Sequence, residues 1–195
     1  MAQSLDQLIE EIKGCTACKD LPLGPRPVLT GKASARIVLA GQAPGTKVHA
    51  SGIPWNDPSG DRLRMWLDME KDIFYNEEYL AVIPMGFCYP GKGERGDLPP
   101  RPLCAELWQD KLKAKLPHVK LKLLIGQYAI KYHLGKRRKK TLTETVKHWR
   151  EYLDDGFIPL VHPSPRNIMW RRRNPWFEAE IVPQIRQEVW KVIGE

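Results

Sequence analysis

The sequence predicts a three-layer α/β/α sandwich around a four-stranded, mainly parallel sheet, and three observations carry that prediction. Four short apolar runs, at residues 36–40, 80–85, 121–125 and 157–161, are each long enough for a buried strand. Helical spacing appears between and after them, at 60–69, 103–116, 127–134, 142–153 and 176–193. Strands that alternate with helices imply parallel crossovers. Third, each apolar run is followed at once by a polar, Gly/Pro-bearing segment.

Taken in order, the elements are legible one by one. Leu5, Leu8, Ile9 and Ile12 recur at helical spacing, so residues 4–13 read as an amphipathic helix capped by Ser4. The run 21–28 holds too many prolines for a helix or a central strand and reads as an ordered loop. Gly41-Gln42-Ala43-Pro44-Gly45 follows the first strand and residues 86–91 the second. Gly126-Gln127 follows the third strand, and His162-Pro163-Ser164-Pro165-Arg166 the fourth. In an open parallel sheet all four loops meet at the carboxyl edge, where such folds bind ligands. A site is therefore expected there. The basic run 136–140 sits on a loop behind Gly135, a helix C-cap.

Composition narrows the classes. The 195 residues carry 31 Lys+Arg against 23 Asp+Glu, a formal charge of +8, with 42% hydrophobic and 28% charged residues. These are globular values that exclude a wholly disordered chain, and the length suits one domain, residues 1–195, with a real core. No apolar run approaches a membrane span, and the N-terminus lacks a basic region followed by an apolar one. A soluble, cytoplasmic, monomeric protein with no membrane partner is expected. The basic excess suits a polyanion such as nucleic acid, and equally serves solubility.

Several residues stand out as chemistry. His162, pinned by Pro163 at a strand's end, can donate a hydrogen bond to charge developing on a leaving group. His49, His118, His133 and His148 have no such setting. Gly41-Gln42-Ala43-Pro44-Gly45 lacks the endings of phosphate-binding loops, yet its glycines permit close approach by a ligand. Trp55, Asn56 and Asp57 offer an aromatic plane, an amide and a carboxylate in succession. Trp55 can equally be core, and Asp57 can merely cap the next helix. Cys15, Cys18, Cys88 and Cys104 suit an iron–sulfur cluster or a structural Zn²⁺, while disulfides are disfavoured without an export signal. Arg166, the run 136–140 and Arg171–Arg173 supply cations for phosphates. Trp170, Trp176 and Phe177 read as core for the last helix.

Together these motifs resemble the uracil-DNA glycosylase superfamily, most closely its iron–sulfur (family 4-like) branch, from Cys15 to about Phe177. Gly41-Gln42-Ala43-Pro44-Gly45 is similar to the family's Gly-Glu-Ala/Gly-Pro-Gly. Gly52-Ile53-Pro54-Trp55, with Pro58-Ser59-Gly60 and Leu63, resembles its Gly-x-Pro-Phe segment, with Trp55 where a Phe stacks on uracil. His162-Pro163-Ser164 is similar to the motif whose histidine stabilises the departing base. The four cysteines match the order of that branch's [4Fe–4S] ligands. The resemblance implies a DNA glycosylase that hydrolyses the N-glycosidic bond of uracil or a related damaged base, in single- or double-stranded DNA, during base excision repair. It also implies that Gly41, Pro44, Gly45 and Ser164 grip DNA, that Arg166 fills the vacated stack, and that the cluster is structural.

Two departures stand out. Gln42 occupies the position of a Glu, and Ala43 that of the Asp of Gly-Gln-Asp-Pro, so the usual water-activating carboxylate is absent. Asp57 is the nearest replacement and Asp61 the second. The base-reading asparagine is missing from residues 83–88, leaving Asn56 as its substitute beside Trp55 and Ala43. The rival reading is a glycosylase-fold protein that binds DNA or lesions without releasing a base.

Overall fold

The computed structural model describes residues 3–94 and 96–194. Helix α1 (Leu5–Lys13) begins with a reciprocal capping box, in which Gln7 N–H donates to Ser4 Oγ and Ser4 N–H to the Gln7 side chain. The main sheet comprises β1 (Ile37–Ala40), β2 (Leu80–Val82), β5 (Leu121–Ile125) and β6 (Phe157–Leu160), in the order β2-β1-β5-β6. Every pairing in it is parallel, with Ile37 opposite both Leu80 and Leu121, and Leu123 opposite Ile158.

The two-residue period of the strands divides the core. Ile37, Leu39, Leu123, Ile158 and Leu160 face one side, packed with Leu63 and Trp66 of α3 (Pro58–Leu67) and Ile185 of α10 (Val182–Gly194). Val38, Ala40, Ala81 and Leu124 face the other, packed with Leu8 and Ile12 of α1 and Ile130 of α7 (Gln127–Leu134). Helices thus cover both faces of the sheet, as the alternation of patterns requires.

Differences from the sequence reading lie at element ends and in short pieces. The second strand stops at Val82 because Pro84 cannot donate to a ladder. Ile83 and Met85 instead donate to the carbonyls of Leu39 and Gly41 as the chain leaves the sheet. The 103–116 helix is α5 (Pro102–Cys104), a π-helical stretch Ala105–Gln109 and α6 (Asp110–Ala114), and Gln109 of the π stretch donates to the Pro84 carbonyl at 2.8 Å. The 142–153 helix is α8 (Leu142–Lys147), capped by Thr141 and Glu144, followed by a 3₁₀ turn Trp149–Tyr152. A π-helical stretch, Phe177–Ile181, opens the last helix, and Phe177 is fully buried. Three short helices had no apolar period to reveal them: α2 (Thr46–Ser51), α4 (Lys71–Phe74) and α9 (Ile168–Arg173). Nor did the hairpin of β3 (Lys92–Gly93) and β4 (Gly96–Asp97). Among the described residues, no helix is long and apolar enough to cross a membrane.

Candidate active site

The segments that follow β1, β5 and β6 meet around a cleft of about 940 Å³. After β2 it is Pro84 and the later residues 93–94 and 96–99 that join them, whereas Gly86, Phe87 and Cys88 of the expected 86–91 loop line a separate small cavity. Gly41, Gln42, Ala43, Pro44, Gly45, Trp55, Asp57, His162, Ser164 and Arg166 all line it. Asn56 does not. It is exposed and outside the cleft wall, so the base-reading role expected of it has no support in its position. The cause is local: Trp55 adopts a left-handed backbone (φ 56°), which turns the chain and sends consecutive side chains in different directions.

Holding Trp55 in that conformation costs about 1–3 kcal/mol, which the surroundings must offset. Its indole is buried in the core cluster and packs on Gly41, where a Cβ would stand 3.1 Å from the ring. Tyr75 Oη donates to the Trp55 carbonyl at 3.3 Å, and Arg64 donates to Tyr75 Oη in turn. A Cβ on Gly60 would collide with that same carbonyl. Trp55 is therefore both core and cleft wall, so its place in the core does not remove its ring from the cleft.

His162 stands beside it, ring centroids 5.6 Å apart and planes 31° apart. Its Nδ1 accepts from the Ser164 backbone N–H at 3.2 Å, so the proton of the neutral ring sits on Nε2. Enclosure by protein lowers its pKa from 6.5 to about 4, against a weaker opposing pull from Asp57. At neutral pH, then, His162 is an uncharged hydrogen-bond donor. Its loop is braced from behind: Asn167 Nδ2 donates to the His162 carbonyl at 2.8 Å, and Arg171 Nη1 to that of Ser164 at 3.2 Å. Arg171 is not available as the phosphate ligand that the sequence suggests. It is instead buried, with Nε 3.5 Å from Glu178, and acts as a strut.

Gln42 donates from Nε2 to the Leu98 carbonyl at 2.8 Å, which ties the first loop to the end of the hairpin. That donation fixes the amide orientation and leaves Oε1 as the acceptor. Asp57 caps α3, its Oδ1 accepting from Gly60 N–H at 2.8 Å. Asp61 is exposed, pairs with the buried Arg64 and does not line the cleft. Arg166 crosses the cleft mouth, and a Cβ on Gly96 would stand 2.5 Å from its Nη1. The hairpin residues Glu94, Asp97 and Leu98 complete this lip, together with Tyr128 and Leu142 on the opposite flank. The sequence does not single them out: Glu94, Asp97 and Leu98 fall in a segment without periodicity or motif, and Tyr128 and Leu142 open helices whose apolar pattern says nothing of the cleft.

A model of the uracil DNA glycosylase superfamily matches residues 29–186, most of the chain. The chain belongs to that superfamily. As a uracil DNA glycosylase superfamily member it carries a glycosylase-type hydrolase fold that implies a DNA substrate, and its cleft lies at the carboxyl edge of the sheet.

The four cysteines lie apart from this cleft. Cys15, Cys18, Cys88 and Cys104 line a second, small cavity walled by Leu21, Phe87, Leu103, Leu107 and Trp108. Burial raises the thiol of Cys88 to about 11 and pushes Cys104 and Cys18 up as well. None of the four is paired in a disulfide. Among the described residues, no group of three or more His, Cys, Asp or Glu is gathered closely enough to hold a metal ion.

Proposed function

We propose that the protein is a monofunctional DNA glycosylase that hydrolyses the N-glycosidic bond of uracil or a related damaged base extruded from DNA. The observation that carries this reading is the neutral, Nε2-protonated His162 held beside Trp55 in the cleft. Extrusion of the base costs a few kcal/mol, least for a mismatched or single-stranded site. In the pocket the base lies against Trp55. As the C1′–N bond breaks, its electron pair passes to the base, and His162 Nε2–H donates to the oxygen where that charge collects. A neutral donor needs no counter-charge and remains a donor throughout. Water held by Gln42 Oε1 then bonds to C1′, and its proton passes to the Asp57 carboxylate and on to the released base. Arg166, freed from Gly96, fills the gap left in the stack, and Ser164 with the backbone of 41–45 contacts the flanking phosphates.

The four cysteines are proposed to hold a [4Fe–4S] cluster, with zinc as the alternative. The all-sulfur donor set in an apolar pocket fits either group. The bound group would tie residues 15–18 to the segment 88–104 and takes no part in hydrolysis. Anaerobically purified protein is expected to be brown, and colourless protein containing zinc supports the alternative.

A second reading has its own observation. The first loop carries no carboxylate, and Asp57 already caps a helix, which suits a protein that binds DNA lesions without turnover. One assay separates the two: single-turnover release of uracil from single- and double-stranded DNA, with His162→Ala as control. Release that depends on His162 supports the enzyme. Salt-sensitive binding with no release at enzyme excess supports the binder.

A further inference from the structure

Six cations fall between residues 131 and 140. Two are neutralised: Arg137 pairs with Asp155, and Lys139 with Glu151 at 2.5 Å. The side chains of Lys131, Lys136, Arg138 and Lys140 are exposed and have no acidic partner among the described residues. Together with Gly135 and Lys139 they line a separate hollow of about 450 Å³. A concave surface lined by cations of one sign concentrates positive potential where a polyanion's phosphates can lie. The hollow also has a definite place. Lys131 lies one helical turn along α7 from Tyr128, and Lys140 stands two residues before Leu142; Tyr128 and Leu142 are both walls of the cleft. The basic hollow therefore runs off one flank of the cleft, down the outside of α7.

We propose that this hollow is a DNA-backbone site, distinct from the base cleft, that holds the strand on one side of the target nucleotide. The proposal rests on the glycosylase or DNA-binding reading of the cleft and adds to it a polarity: the protein grips the strand asymmetrically. Four unpaired cations around a concave surface hold counterions that a phosphodiester chain displaces, which makes binding steeply salt-dependent.

The test compares the unmodified protein with the triple variant Lys136→Gln, Arg138→Gln, Lys140→Gln. Binding is measured to single-stranded oligonucleotides carrying one abasic-site analogue near either the 5′ or the 3′ end. Loss of three contacts lowers the slope of log K against log salt by about 2. Raising salt from about 50 to 200 mM then weakens the variant roughly 15- to 20-fold less than the unmodified protein. The unmodified protein loses affinity when nucleotides are removed from one side of the analogue only, and the variant no longer distinguishes the sides. The conservative variant Lys136→Arg, Lys140→Arg keeps both properties, and matching melting temperatures exclude misfolding. An unchanged slope, or equal sensitivity to truncation on both sides, overturns the site while leaving the cleft's reading intact. An unmodified protein that binds no DNA overturns both.

Discussion

The base cleft and the thiol cavity are held together in opposite ways. In the cleft each reactive group has a backbone partner that sets its direction: Ser164 N–H for His162, the Leu98 carbonyl for Gln42, Gly60 N–H for Asp57. Its donors and acceptors are oriented before any ligand arrives, which is what electrostatic stabilisation of a departing anion requires. In the thiol cavity only Cys88 and Cys104 have a backbone contact, from Arg26 and Phe87, and burial outweighs it at both. Four sulfurs line an otherwise largely apolar cavity, and burial raises the thiols of Cys18, Cys88 and Cys104, with Arg101 opposing it only at Cys18. One region orients its groups through the backbone, and the other gathers thiols in the place where we propose that the iron–sulfur cluster binds.

The sharpest way to break this contrast is to remove the oriented donor. His162→Ala is expected to lower single-turnover base release by about 10²–10³-fold, the usual cost of one such donor. Release that persists at the unmodified rate would falsify its role. Next in size is the supporting framework: Gly60→Ala drives a methyl into the Trp55 carbonyl and should cost about 3 kcal/mol in a denaturant titration. In the other region, Cys88→Ser is expected to abolish visible absorbance and lower the melting temperature while leaving uracil release detectable at reduced temperature. Loss of activity with full stability would show that the two regions are not separate.

The pH dependence follows from two histidines. His162 and His133 both have pKa values lowered from 6.5 to about 4, by burial above all, with Lys122 and Lys113 adding to the effect at His133. The unfolded chain therefore binds more protons than the folded one between these limits. Stability falls as pH drops from about 6.5 towards 4, and is constant with respect to these groups above that range. Base release, relying on neutral His162, should not decline with a midpoint near 6.5, as a stopped-assay pH series can establish. The smallest effect sharpens the comparison at Asp57. Asp57→Asn preserves the helix cap and removes the carboxylate, so stability should hold within about 0.5 kcal/mol. A fall in rate then reports proton transfer alone, and an unchanged rate assigns Asp57 to capping.

Much of this molecule can be read before folding. The strand and helix periods give the two-faced sheet, because side chains alternate across a strand and recur every third or fourth residue on a helix. The motifs after β1, β5 and β6 mark one edge, because parallel strands bring their carboxyl ends together, while residues 86–88 turn to the thiol cavity. Leu121–Ile125 and Gln127–Leu134 fall where their apolar patterns lie, since strong burial on both sides leaves no competing arrangement. What the chain does not disclose is direction. That Asn56 faces away from the cleft follows from the left-handed turn at Trp55, which depends on Gly60, Gly41 and Tyr75 arriving from other elements. That Arg171 is a strut rather than a phosphate ligand depends on Glu178 packing beside it. The tautomer of His162, its low pKa, and the contact of Arg166 with Gly96 likewise arise between segments far apart in the chain. The sequence by itself determined which chemical groups exist and along which edge they gather. Only the tertiary structure decided where each points and how each is charged, because orientation and desolvation are properties of neighbours rather than of residues.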